Sequence, residues 1–86
     1  MFVAKVVGKV ISTQKSEHLL GAKLLIIKPV DDNYNTIEDD AVVAVDTVGA
    51  GYGEYVLIAW GHSFCSEKQI SADLCIVGIV DEIQRE

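Results

Sequence analysis

The chain has 86 residues, half of them hydrophobic but only 7% aromatic, with seven basic against thirteen acidic residues for a net charge of −6. The basic residues are scattered, which disfavours nucleic acid and gives a membrane surface no polybasic segment to attract, and no apolar run approaches the ~20 residues of a membrane span. A domain this small buries only about 60% of its unfolded surface, so a large load of Val, Ile, Leu and Ala points to burial between subunits in an obligate oligomer.

The residues read as one domain over 1–86, and as strands throughout. Phe2 to Ile11 is β-rich, with Phe2, Ala4, Val6, Gly8 and Val10 on one face and Lys5 and Lys9 marking the other. Gly8 within this run predicts a bulge, a bend or a close backbone approach. Ser12 to Gly21 is polar and turn-rich. Ala22 to Lys28 is the second strand, carried by Leu24, Leu25, Ile26 and Ile27, and Pro29 stops it because it has no N–H to donate. Asp31 to Asp40 is a polar loop opened by Asp31, Asp32 and Asn33. The third strand runs from Ala41 to Val48, and the fourth from Glu54 to Trp60. The fifth runs from Leu74 to Ile83, after a segment, Ser66 to Ala72, with room for one helical turn. Five strands and at most one short helix predict an all-β fold, a small OB-like β-barrel. Closure also removes the apolar sheet edges that a flat arrangement would leave open. Met1 to Val6 has neither the charged start nor the cleavage site of a secretion signal, so a soluble, cytoplasmic chain is expected.

The chemistry-bearing residues do not gather into a catalytic constellation. Asp31, Asn33 and Asn35 match the first three ligand positions of a calcium loop, but Thr36 replaces the turn glycine and Val42 the bidentate glutamate. A solvated acidic hairpin loop is the better reading. His18, His62, Cys65 and Cys75 lack a close Cys-x-x-Cys pair, so no metal site is expected. Cys65 and Cys75 permit one disulfide, though two reduced thiols are the ordinary state in a cytosolic protein. Ser63 beside His62 is no triad, since neighbouring strand residues face opposite ways. Asp46, amid Val42, Val43, Ala44, Val45 and Val48, reads as a carboxylate that accepts backbone hydrogen bonds or faces water. Tyr55 and Trp60 lack the basic neighbours of a base-stacking platform and read as packing residues. Neither a catalytic residue nor a cofactor is expected.

Gly49, Ala50, Gly51, Tyr52, Gly53 and Glu54 form the richest motif. A dinucleotide fingerprint would need a helix after it, whereas Tyr55 to Trp60 is strand. The loop then either turns tightly through positive φ angles or packs its backbone against a neighbouring subunit. Gly51 and Gly53 are the positions expected to turn tightest.

Val43 through Leu57, together with Val6 to Val10, Leu20 to Leu25 and Ile76 to Asp81, resembles the EutN/CcmL family of microcompartment vertex proteins in content, order and spacing. The resemblance implies a five-stranded barrel assembled as a homo-pentamer. Such pentamers fill the vertices of a polyhedral bacterial-microcompartment shell whose facets are hexameric shell proteins. It also implies no catalysis, and it places Gly49 to Glu54 near subunit contacts and the five-fold axis. After the fourth strand the family carries an arginine. This chain reads Gly61, His62, Ser63, Phe64, Cys65, so no contact of that arginine is carried over. The competing reading is an OB-type binding module for a small ligand or single-stranded nucleic acid, and it would need a basic, aromatic face that the sequence lacks.

Overall fold

A computed structural model describes residues 1–11, 23–37, 41–60 and 74–84. They form β1 (Phe2–Val10), β2 (Lys23–Pro29), β3 (Val42–Asp46), β4 (Tyr55–Trp60) and β5 (Leu74–Ile79). The strands close into a barrel in the order β1-β2-β3-β5-β4, with β4 pairing back onto β1. Every pairing is antiparallel except β3 with β5, which is parallel and spans Val45 opposite Cys75 and Asp46 opposite Ile76. No helix occurs among the described residues. The helical turn considered for Ser66 to Ala72 lies outside them.

A five-stranded barrel has a narrow interior, which explains the aliphatic, aromatic-poor composition. Ala4, Val6, Leu25, Ile27, Ala44, Ala50, Val56, Ile58 and Ile76 make up the buried cluster. Three small alanines stand among six larger aliphatic side chains in this cluster. The aromatic rings stay off this cluster's centre. Phe2 packs on Trp60 with ring centroids 5.6 Å apart, and Tyr34 meets Tyr55 edge-on at 4.8 Å.

Gly8 behaves as the sequence predicts, because the β1–β2 register shifts between Val6 and Gly8. The shift has a consequence for the face assignment. Lys9 comes to stand opposite the buried Leu25, and directly opposed residues share a face. Strict alternation along β1 therefore ends at the bulge.

Three strand ends differ from expectation. β2 includes Pro29, which faces Ala4. Its carbonyl accepts from Ile37 N at 2.9 Å, so a strand end that needs no donor there tolerates proline. β3 stops at Asp46 because its carboxylate captures the next backbone N–H groups. β5 stops at Ile79, after which Val80 N donates to the Tyr55 carbonyl at 2.8 Å and Ile83 N to the Tyr34 hydroxyl at 2.9 Å. The last expected strand residues thus leave the sheet to meet Tyr34.

Cys75 corrects a further expectation. It is disulfide-bonded and fully buried; its sulfur partner lies outside the described residues, as Cys65 does.

Candidate functional site

The loop from β3 to β4 is held at several points by bonds within the chain. Asp46, with its side chain 1% exposed, accepts through Oδ1 from Val48 N at 3.0 Å and Gly49 N at 3.1 Å. These bonds turn the chain out of the sheet. Asp46 Oδ2 makes no hydrogen bond but lies 3.4 Å from Lys23 Nζ, so this contact is an ion pair without hydrogen-bond geometry. Lys23 is half exposed, and water screens the pair. The firmer role of Lys23 is to donate to the Ala50 carbonyl at 2.7 Å, which pins the loop where Ala50 enters the core.

Gly51 to Glu54 then make a tight turn. Glu54 N donates to the Gly51 carbonyl at 3.2 Å, and Gly53 has φ +84° at the third position, as a type II turn requires. Glu54 Oε1 accepts from Gly51 N at 2.7 Å. Gly53 N reaches the Val6 carbonyl, and Val6 N the Glu54 carbonyl, each at 2.9 Å. Tyr52 stands at the apex, 83% exposed.

The structure separates the three glycines. Gly53 and Gly49, at φ +84° and +83°, need the left-handed region. Gly51 does not. A Cβ there would sit 3.3 Å from Glu54 Oε1, the movable end of a side chain. Gly49 takes the place expected for Gly51 because Asp46 draws two successive N–H groups inward and reverses the chain at that residue.

A phosphate cradle needs unengaged N–H groups aimed at one point. Here Val48 and Gly49 donate to Asp46, Gly51 to Glu54 and Gly53 to Val6. The loop is built to hold a shape. The Asp31 loop is similar, since Asp31 Oδ1 accepts from Asn33 N at 2.8 Å and Asn35 N at 3.0 Å. The carboxylate is occupied by its own hairpin.

Tyr55 and Trp60 sit at the two ends of β4 and form no joint platform. Tyr55 packs on Tyr34, with Lys5 Nζ 5.8 Å above its ring. Trp60 is 58% exposed despite its contact with Phe2, so the packing expectation holds for Tyr55 and only partly for Trp60. His18, His62, Ser63 and Cys65 lie outside the described residues. Sequence reasoning missed Lys23, whose partners Asp46 and Ala50 are far along the chain, and Tyr34, which has φ 65°. A non-glycine residue in that region is uncommon, and nothing in a lone tyrosine announces it.

Replacing Asp46 tests how the loop is held. Asp46→Ala removes the acceptor of two N–H groups and should cost about 1–2 kcal/mol, which is roughly 4–8 °C in melting temperature per kcal/mol for a domain of this size. Asp46→Asn keeps an acceptor oxygen and should cost less than half as much. Thermal circular dichroism reads both, and an unchanged Asp46→Ala transition would show that the barrel holds the loop without this residue.

Residues 1–81 match the family model described as "Ethanolamine utilisation protein EutN/carboxysome". The microcompartment shell vertex protein PduN of Salmonella typhimurium is 44% identical, over 96% of this chain and 98% of its own length. The carboxysome shell vertex protein CcmL of Nostoc sp. is 40% identical, over 100% and 88%. Among solved structures, the GrpN pentameric microcompartment shell protein from Rhodospirillum rubrum superposes with a TM-score of 0.88 at 38% identity, covering 100% of both chains.

Proposed function

The chain belongs to the EutN/CcmL family, and from that membership we propose that it is a shell subunit that assembles as a pentamer at the vertices of a bacterial microcompartment within the cytoplasm. The observation that carries this reading is the end-to-end likeness, in sequence and in barrel, to a pentameric shell protein. Relatives from carboxysomes and from other microcompartments match at similar identity. What they share is the vertex role and not a cargo.

In this role the subunit has no catalytic function. The loop from Gly49 to Glu54 lies at subunit contacts near the five-fold axis, and hexameric shell proteins surround the ring. Support comes from the loop's internal bonding, which presents a fixed shape, and from apolar side chains on the outside of the isolated barrel: Val43 is 49% exposed, Trp60 58% and Tyr52 83%. A single small domain gains from covering such surface.

Native mass spectrometry of the purified protein should give a pentamer at micromolar concentration. A dominant monomer would remove the vertex reading. The binding-module alternative is answered by a mobility-shift titration at low salt, where electrostatic attraction is strongest. At a charge of −6 no sub-micromolar binding to single-stranded nucleic acid is expected, and such binding would revive that alternative.

A further inference from the structure

Cys75 stands where β5 meets both of its neighbours. It lies opposite Val45 of β3 and opposite Ala59 of β4, it is fully buried, and it is disulfide-bonded. The chain has one other cysteine, Cys65, so a bond within the chain joins Cys65 to Cys75 and closes the connection from β4 to β5 into a small covalent ring. A cytoplasmic protein ordinarily keeps its thiols reduced, and the disulfides that do occur there are mostly transient or redox-responsive. A disulfide in a chain read as cytoplasmic therefore calls for a role tied to redox state.

The bond is anchored at the shortest pairing of the barrel. β3 and β5 pair only through Val45 with Cys75 and Asp46 with Ile76, while the other strand pairs are matched over longer registers. Parallel pairing is also slightly less stable per residue than antiparallel pairing. Beyond those two pairs, Thr47 continues the seam through its hydroxyl, which donates to the Ile76 carbonyl at 2.6 Å, and its N–H, at 3.4 Å from the same oxygen. The seam leads directly to the glycine loop. Asp46, paired with Ile76, is the residue whose Oδ1 accepts from Val48 N and Gly49 N. A shift of Cys75 and Ile76 relative to β3 therefore displaces the carboxylate that turns the loop. Trp60, the chain's single tryptophan, stands opposite Leu74, the residue before Cys75, and so reports on the same seam.

We propose that the Cys65–Cys75 disulfide is a reversible redox latch: closed, it clamps β5 against β3 and steadies the Asp46 turn for assembly, and open, it lets that seam loosen. The link to assembly rests on the ring reading above. The reductant is a thiol. Its thiolate attacks one sulfur of the bond, the other cysteine leaves as a thiolate, and a mixed disulfide forms. A second thiol, from the same or another reductant molecule, then breaks the mixed disulfide. The chain gains two electrons and two protons, and the reductant departs as a disulfide. A disulfide oxidant reverses both steps. Opening the covalent ring returns conformational freedom to the unfolded chain, so the reduced form is the less stable one.

The test compares the full chain, oxidised and after dithiothreitol, with Cys65→Ser, which has no bond to open. Alkylation of the unfolded chain followed by mass spectrometry should find no reactive thiol in the oxidised protein and two after reduction. On reduction the melting temperature should fall by roughly 8–20 °C and Trp60 emission should shift. The concentration of half-assembly in native mass spectrometry should rise by about threefold or more. Cys65→Ser should match the reduced parent and ignore dithiothreitol; if it folds poorly, the reduced parent carries the comparison. In glutathione buffers poised from cytosolic to oxidising values, both forms should be populated. A bond that stays closed, or never closes, across that whole range would overturn the latch. An unchanged melting temperature and emission on reduction would overturn it as well. Lower stability with unchanged rings would overturn the coupling to assembly through Asp46. A parent that forms no ring in either state would remove the ring reading, while the melting temperature and the glutathione series still decide the latch.

Discussion

Gly53→Val should lower the melting temperature by roughly 5–20 °C, from a backbone strain of about 1–3 kcal/mol at 4–8 °C per kcal/mol. The cause is conformational and not steric. Gly53 has φ +84°, and a Cβ there would meet nothing within 4 Å, so the first added carbon has space but the wrong backbone. Relaxing φ would break the Gly53 N bond to the Val6 carbonyl and lift the loop from β1. Gly49→Val should act alike, at φ +83°. Gly53→Asn should recover most of the loss, because asparagine tolerates the left-handed region. Gly51→Ala should cost less than about 1 kcal/mol, since its Cβ meets only the flexible end of Glu54. On the proposed placement of the loop at a subunit contact, the ring would repeat each defect in every subunit, so native mass should register Gly53→Val more strongly than circular dichroism does. An unchanged transition and an intact pentamer would reduce the loop to an ordinary solvent-facing turn. Loss of the β signal itself would place Gly53 in the folding of the barrel and not in assembly.

Deleting the protein from its host should leave shell facets assembled but unclosed. A surface tiled only by six-fold units stays flat or rolls into tubes, and five-fold units introduce the curvature that seals a polyhedron. Electron microscopy of the deletion strain should show elongated or open shells in place of closed ones. Re-expression of the intact protein should restore closure, while Gly53→Val should restore less of it. Closed polyhedra of normal shape in a strain without any second vertex gene would count against the role.

Much of the barrel was legible in the order of the residues. Apolar runs broken by glycine, proline and acidic turns located all five strands, because side-chain alternation and turn chemistry are local properties that need no knowledge of the fold. Gly8 was readable as a bulge, a bend or a close approach for the same reason, and Asp31, Asp32 and Asn33 as a turn, while the structure made Gly8 the bulge and made Asp31 the acceptor that organises the hairpin. The long stretch from Val43 to Leu57 carried the family resemblance. Strand ends were less legible. They depend on where a carbonyl or carboxylate waits across the barrel: Asp46 ends β3 by capturing Val48 N and Gly49 N, and Tyr34 draws Ile83 away from β5.

By itself the sequence determined the all-β class, the aliphatic core and the presence of a glycine turn between two strands, since composition and period follow from each residue's own side chain. The tertiary structure decided which glycines the turn depends on. It assigned positive φ to Gly49 and Gly53 and left Gly51 in an ordinary conformation. It also decided that Lys23 holds the Ala50 carbonyl across 27 residues of chain, and that Cys75 is bonded and not a free thiol. These are distances between segments remote in sequence. They come into being only when β2, β3 and β5 close side by side, and no local pattern of residues encodes them.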